Sequence, residues 1–230
     1  MDTVIGLGEI GKPLFKILSP EEVYPDTIGI DINSPAYNTK FNAMNICIPY
    51  SDDFIKIVQD YISAYNPSLV IIHSTVPIGT TSKISDKAVH SPILGKHDNM
   101  EMFIRKFDKW VGGKEAHKAA AYLNGVGINC IVVDKAEETE ALKLMCLAKY
   151  GMSIAFAEYQ RRIADIYDFP YIDIIKWDAN YNRHVDPNLR RPIIYPLSSG
   201  KIGGHCIIPN VEILNKQHPD PILEEILKYQ

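Results

Sequence analysis

The first 135 residues carry short, continuous apolar runs separated by more polar segments. Because the runs are rich in β-branched residues and do not alternate with polar ones, they are typical of strands buried on both faces of a parallel sheet. Intervening segments such as 53–65 have the length and composition of crossover helices. The pattern predicts an α/β fold with strands at 3–5, 27–30, 45–48, 69–72, 87–89 and 130–133.

The pattern changes after residue 136. From about Glu137 to Tyr167 there is no proline and one glycine, and apolar residues fall on more than one helical face. This predicts a helix about 45 Å long, which forms either a spine between two lobes or the seam of a homodimer. A shorter helix to Trp177, an irregular segment over 180–209 and a last helix from Pro221 complete the prediction. We expect two domains: 1–135 with the sheet, and 136–230 with the long central helix and a small, mainly helical C-terminal region.

Composition narrows the class of protein. The 230 residues are 46% apolar and 23% charged, as in ordinary globular domains, and the net charge of −4 without a basic block argues against nucleic acid or anionic membranes as partners. The chain starts almost directly on a predicted strand, so we expect no signal peptide. Four widely spaced cysteines favour reduced thiols, a cytoplasmic location and no metal site; they are Cys47, Cys130, Cys146 and Cys206.

Three glycines, Gly6, Gly8 and Gly11, follow the first strand and precede a helical segment. The first permits a tight turn, the second lets a pyrophosphate approach the backbone, and the third lets helix and strand pack closely. This order is that of a Rossmann-type dinucleotide fingerprint. It predicts that the loop, including Glu9 and Ile10, binds a dinucleotide cofactor.

The second strand ends in Asp31, near the place where a carboxylate meets the adenosine ribose hydroxyls in such folds. The charge of Asp31 would repel a 2′-phosphate, and no arginine follows it closely, so NAD is favoured over NADP. The alternative is a glycine-rich turn in a sheet protein that binds nothing.

Two further strand ends carry polar or turn-forming residues. Pro49 follows one predicted strand, and Ser74 and Thr75 follow another. Ligands of open parallel sheets bind at the carboxyl ends of the strands, so we expect these residues to contact the cofactor. Turn chemistry alone is the competing explanation, since serine, threonine and proline favour turns.

Near the C-terminus, Gly203 and Gly204 precede His205 and Cys206. Glycines let backbone come close to a ligand, and a cysteine behind them can act as a nucleophile on what they admit. A plain buried thiol is the competing interpretation. Combined with the glycine loop at the other end of the chain, the arrangement suggests an oxidation that passes through a thiol adduct.

These motifs, in order over roughly residues 1 to 210, resemble the UDP-glucose/GDP-mannose dehydrogenase family, especially its UDP-N-acetylhexosamine branch. The resemblance rests on segments 6–11, 46–49, 74–80, 140–144 and 203–206, together with Asp31. It implies NAD-dependent oxidation of a sugar-nucleotide 6-hydroxyl.

The resemblance also implies roles for individual residues. Cys206 captures the aldehyde as a thiohemiacetal, Lys143 stabilises developing oxyanions and contacts substrate, and Thr75 lies in the catalytic centre. Gly203 and Gly204 contact the substrate. The chemistry is sound, because a thiolate is a strong nucleophile and an ammonium stabilises an alkoxide. Without the resemblance, Lys143 would be taken for a solvated helix lysine.

The sequence departs from the family at the positions that bind or activate the hydrolytic water. Leu147 stands in place of an asparagine one turn after the lysine, and Asn210 in place of an aspartate four residues after the cysteine. Segment 91–94 lacks the family glutamate. Neither a leucine nor an asparagine serves as a general base at neutral pH. Family members also continue into a second α/β domain beyond the end of this sequence, so we expect a reduced enzyme.

Three functions remain open. The first is a nucleotide-sugar dehydrogenase, and the second is a relative of the β-hydroxyacid dehydrogenases, which share a helix lysine but use no thiol. The third is a catalytically silent NAD-binding partner or sensor. Dependence of turnover on Cys206 separates the first from the second, and any substrate-dependent formation of NADH excludes the third.

Overall fold

The protein is represented by a computed structural model, which describes residues 1–19, 27–95, 97–197, 200–203 and 206–230. It divides into two compact units, Met1–Lys143 and Leu144–Gln230. The first unit is an α/β sheet domain and the second is mainly helical, in line with the predicted fold class. The assignment of 1–135 to NAD binding stays a prediction.

The sheet has seven strands in the order β2-β1-β3-β4-β5-β6-β7. Their bounds are β1 Asp2–Ile5, β2 Thr27–Ile30, β3 Ala43–Ile46, β4 Leu69–Ile72, β5 Ala88–His90, β6 Lys109–Gly112 and β7 Cys130–Val133. The parallel pairs β2–β1–β3–β4–β5 match the sequence prediction. The strand β6 was not predicted, and it pairs antiparallel with β5 through His90 and Gly112, while β7 runs parallel to β6.

Successive residues of the central strands face opposite sides of the sheet, as strand geometry requires. Val4 of β1 and Ile71 of β4 belong to one apolar core, whereas Ile5 and Ile72 belong to the other. All four residues of β4 are buried. Burial on both faces explains why this strand reads as a continuous apolar run.

Helices of the first unit connect these strands: α1 Gly11–Leu18, α2 Phe54–Tyr65, α3 Thr81–Ile84, α4 Met100–Lys106 and α5 Ala116–Gly125. The long helix α6, Ala136–Ile166, begins in the first unit and continues into the second. Its bounds lie within one residue of the prediction, because the segment contains no helix-breaking proline.

The second unit adds α7 Ile172–His184, α8 Ile207–Gln217 and α9 Pro221–Leu227. The helix α8 was not predicted, since the sequence prediction left 180–209 irregular. In this unit, Tyr171 donates its hydroxyl hydrogen bond to the carbonyl of Ile194 (2.9 Å), and Arg162 bonds the hydroxyl of Tyr229 (3.2 Å). The first contact holds the irregular chain before α8 to the start of α7, and the second joins α6 to the end of the chain after α9.

Candidate functional site

The loop between β1 and α1 has the geometry that a dinucleotide cradle requires. Gly6 has φ +89°, and its N–H donates to the carbonyl of Ile30 (2.8 Å). A β-carbon on Gly11 would lie 1.7 Å from the carbonyl oxygen of Gly6, so only glycine fits there. A β-carbon on Gly8 would meet nothing within 4 Å, which leaves open space over the loop.

The other members of the predicted cofactor set lie at the same edge. Glu9 is exposed, while Ile10 packs against the core and precedes the first turn of α1. Asp31 follows β2 directly, and its Oδ2 accepts the N–H of Leu7 in the glycine loop (3.2 Å). The carboxylate is exposed and tied to the loop, which is the placement expected of a group that meets a ribose.

The residues after β3 and β4 also reach this edge. Pro49 is exposed, and Thr75 is half-buried. The hydroxyl of Ser74 donates to the carbonyl of Ile48 (2.6 Å), so it joins the ends of two neighbouring strands. For Ser74, both the predicted location and a turn-stabilising hydrogen bond are present.

The start of α6 is anchored to the loop that follows β4. Glu140 is fully buried, and its two carboxylate oxygens accept the N–H groups of Gly79 (2.5 Å) and Thr81 (2.8 Å). Burial raises the pKa of Glu140, and these backbone donors oppose that rise. One turn later, the ammonium of Lys143 donates to the carbonyl of Ile93 (2.8 Å). Lys143 is therefore held by the segment after β5 rather than fully solvated.

A buried polar layer that the sequence analysis missed lies beneath these loops. Its members are His73, His90, Lys109, Thr139 and Asn45, all at most 5% exposed. In the sequence, the only feature that marks such residues is a polar side chain at the end of an apolar strand, as in His90, or at the start of one, as in Lys109. That signal says nothing about burial, which arises from the neighbouring strands and helices.

The imidazole of His90 joins β5 to both α6 and the chain after β4. Its Nε2 lies 3.1 Å from the carbonyl of Ser74 and its Nδ1 2.8 Å from the hydroxyl of Thr139. Because a carbonyl only accepts, Nε2 carries the proton and Nδ1 accepts from Thr139. Burial is the main cause that lowers the pKa of His90 to about 3. The ring is neutral at physiological pH.

In the second unit, Cys206 is half-buried and stands immediately before α8. Its carbonyl accepts a hydrogen bond from the side-chain amide of Asn210 (2.5 Å). A β-carbon on Gly203 would meet nothing within 4 Å, whereas Gly204 and His205 lie outside the described residues. Leu147 is half-buried on α6. Lys143 belongs to the first unit and Cys206 to the second.

Neither a metal-binding cluster nor a membrane-spanning helix is found in the part of the chain that the structure describes. There, no three histidine, cysteine or acidic side chains are grouped so that they could hold a metal ion. None of the helices among these residues combines the length and the apolar character needed to cross a bilayer.

The architecture defines a class first: a Rossmann-like α/β sheet unit and a smaller, mainly helical unit, with the long helix α6 running from the first into the second. The same arrangement occurs in the UDP-D-ManNAc dehydrogenase from Pyrococcus horikoshii, with a TM-score of 0.82 over 100% of this chain and 68% of that one, at 19% identity. The 3-hydroxyisobutyrate dehydrogenase of Mycobacterium tuberculosis shares it too, with a TM-score of 0.71 over 99% of this chain and 91% of that one, at 13% identity. At such identities the likeness concerns the fold.

Sequence identity relates the chain to one kind of dehydrogenase. The UDP-N-acetyl-D-mannosamine dehydrogenase of Methanocaldococcus jannaschii is 26% identical over 89% of this chain. The match covers 58% of that relative, so this chain spans little more than half the length of the curated protein it resembles. No family model matches the chain. The resemblance to nucleotide-sugar dehydrogenases predicted from the motifs is confirmed, in a shorter and divergent form.

Proposed function

We propose that this protein oxidises the 6-hydroxyl of a sugar nucleotide with NAD, and that the thiol of Cys206 captures the resulting aldehyde. The observation that carries the proposal is the match to UDP-N-acetyl-D-mannosamine dehydrogenase over 89% of the chain.

The residues at the carboxyl edge of the sheet fit NAD. The open space over Gly8 and the first turn of α1 suit a pyrophosphate, and Asp31 suits the adenosine ribose. Glu9, Ile10, Pro49 and the Ser74–Thr75 pair are the remaining proposed contacts. When bound, NAD supplies the hydride acceptor for oxidation of an alcohol.

Cys206 and Lys143 are the proposed catalytic residues, with Thr75 beside the cofactor. After the thiol of Cys206 has lost its proton to solvent, the thiolate sulfur forms a bond to the aldehyde carbon, and the electron pair of the C=O π bond moves to the oxygen, which becomes a thiohemiacetal alkoxide. The ammonium of Lys143 stabilises that alkoxide or gives it a proton. A double-mutant cycle on these two residues tests whether both act on one intermediate, because residues that act together lose activity non-additively.

Hydrolysis of a Cys206 thioester to the free acid is the step that this chain is least equipped to catalyse. Hydrolysis of a thioester needs a base that takes a proton from water, and the amide of Asn210 has no such capacity. In the structure this amide is engaged with the carbonyl of Cys206. We therefore expect the enzyme to stop at an aldehyde or to stall as a thioester.

Mass spectrometry of the intact protein tests this function. The wild type is incubated with NAD and a panel of UDP- and GDP-sugars beside Cys206→Ser and the control Cys146→Ser, which changes an exposed cysteine of α6. An adduct or a released aldehyde that needs Cys206 and not Cys146 supports the proposal. Turnover of small hydroxy acids without a need for Cys206 would establish the β-hydroxyacid alternative, and no NADH from any sugar nucleotide tested would favour a silent NAD-binding protein.

A homodimer is the proposed assembly. In the second unit, Phe156 and Tyr159 of α6 are about half exposed, and with Met152, Ala155, Arg162 and Glu225 they line a cavity of about 220 Å³. Tyr167, just beyond α6, is 73% exposed. Apolar surface of this kind on one long helix suits a symmetric pair of copies.

A further inference from the structure

Lys109 is a lysine inside the sheet. It is the first residue of β6 and is 5% exposed. Because β6 runs antiparallel to β5, its first residue lies beside the chain that follows the carboxyl end of β5. An ammonium buried at this position is costly unless hydrogen bonds compensate it.

The compensating bonds come from one short segment. The ammonium of Lys109 donates to the carbonyl of Ser91 and to that of Pro92 (3.1 Å). Lys143 donates to the next carbonyl, that of Ile93 (2.8 Å). Two lysines, one from β6 and one from α6, thus hold three consecutive carbonyl groups.

Among the described residues, the groups with the largest electrostatic influence on Lys109 are two thiols and the ammonium of Lys143. The thiol of Cys47 is neutral, because burial raises its pKa to about 12, and burial likewise raises the pKa of Cys130. The buried His73 and His90 interact with Lys109 as well. Carbonyl groups and neutral side chains therefore surround the ammonium, with a like charge on α6.

We propose that Lys109 is a positioning residue: its ammonium fixes the segment Ser91–Ile93, and through the Ile93 carbonyl that segment fixes the ammonium of Lys143. The role in catalysis rests on the proposed function of Lys143, whereas the positioning itself does not. A purely structural lysine would affect stability without changing the chemical behaviour of Lys143.

Proton loss from Lys109 has a defined consequence. Burial is the main cause that lowers the pKa of Lys109 to about 7, and the charge of Lys143 acts in the same direction. Above that pH the neutral amine binds the carbonyls less strongly, because a charged donor makes the stronger hydrogen bond. The hold on Ser91–Ile93 is expected to relax as the pH rises through about 7.

The test measures Lys143 directly. Intact protein is treated with limiting acetic anhydride, and the acetylation rate of Lys143 is measured by peptide mass spectrometry in wild type, Lys109→Met and Lys109→Arg. The control Lys118→Met removes an exposed ammonium that donates to the carbonyl of Ser68 (2.8 Å). We expect Lys109→Met to accelerate labelling of Lys143 about 2- to 10-fold, the equivalent of one lost hydrogen bond, and Lys118→Met to leave it unchanged.

Lys109→Arg gives an independent result if Lys109→Met fails to fold. An arginine stays charged at all accessible pH values. In the wild type, labelling of Lys143 should accelerate as the pH rises through about 7, because neutral Lys109 holds the segment less firmly. In Lys109→Arg, labelling should stay slow and this step in the rate near pH 7 should be absent. Equal rates in wild type and Lys109→Met, or a step near pH 7 that persists in Lys109→Arg, would overturn the positioning role.

Activity is a second and separate readout. Where a sugar nucleotide yields NADH, Lys109→Met should lower kcat more than it changes KM, and Lys109→Arg should flatten the alkaline limb of the pH profile. If no sugar nucleotide is turned over, the proposed function fails while the labelling result still decides the role of Lys109.

Discussion

Gly151 on α6 lies directly against Ile207, the first residue of α8. A β-carbon on Gly151 would stand 2.9 Å from Cγ2 of Ile207 and 2.9 Å from Cγ2 of Ile226 on α9. Ile207 follows Cys206, so this contact fixes the start of α8 and with it the backbone position of Cys206. The close packing of the three helices is possible because residue 151 has no side chain.

The substitution Gly151→Ala should destabilise the protein by about 1–3 kcal/mol, because the added methyl group overpacks a buried contact by more than alanine gains in helix propensity. Urea unfolding measures the change. The matched control is Gly125→Ala at the end of α5, where a β-carbon would meet nothing within 4 Å. A Gly151→Ala protein as stable as the wild type would contradict the packing argument.

Asp31 should make the protein prefer NAD to NADP. Titration calorimetry of the wild type is expected to show binding of NAD and much weaker binding of NADP, because the carboxylate repels a 2′-phosphate. Asp31→Ala should weaken NAD binding and reduce the preference. The control Asp86→Ala removes an exposed carboxylate that pairs with Lys114. Equal binding of both cofactors by the wild type would defeat the assignment.

His90 should make the protein sensitive to acid. Its pKa is lowered to about 3 in the folded protein, against about 6.5 for an unperturbed histidine. Between these values the unfolded chain binds a proton that the folded chain does not, so the free energy of unfolding falls as the pH drops from 6.5 towards 3.

Unfolding of wild type and His90→Gln by urea at several pH values checks this. The variant is expected to be less stable at pH 7, since it loses the bridge between Ser74 and Thr139. Its stability should also fall less steeply below pH 6.5. Parallel pH curves for the two proteins would show that His90 does not titrate as described.

Asn210→Asp should place a carboxylate in the first turns of α8, four residues after Cys206. If a thioester accumulates on Cys206, its loss should become about 10²–10⁴-fold faster, the range typical of a positioned base. Time-resolved mass spectrometry of the adduct measures this rate. Asn215→Asp, on the same helix, serves as control. An adduct that decays at the wild-type rate in Asn210→Asp would show that a carboxylate at residue 210 does not activate the hydrolytic water.

Phe156→Glu should convert the proposed dimer into a monomer, because a charge in an apolar helix contact is desolvated without a partner. Light scattering at micromolar concentration measures the mass. Trp177→Glu changes an exposed aromatic residue of α7 and should leave the dimer intact. A monomeric wild type would count decisively against the assembly.

Much of the fold follows from local sequence patterns. The β1 and β4 runs, the glycine loop and the bounds of α6 were predictable, because apolar periodicity, turn-forming glycines and the absence of proline act over a few residues. The helix α8 was missed, since Pro209 suggested an irregular segment. In the structure Pro209 lies in the first turn of α8, where a missing N–H costs nothing.

The candidate site shows the same division. Gly6, Gly11, Asp31 and Cys206 were singled out from motif spacing, whereas the environment of Lys109 was not predictable. The apolar pattern of a short strand indicates burial and not direction, and it is the reversed direction of β6 that brings Lys109 beside the carbonyls after β5. The sequence by itself determined which residues could carry chemistry. The tertiary structure decided which of them are buried, and burial sets the charge and the hydrogen-bond partners of each.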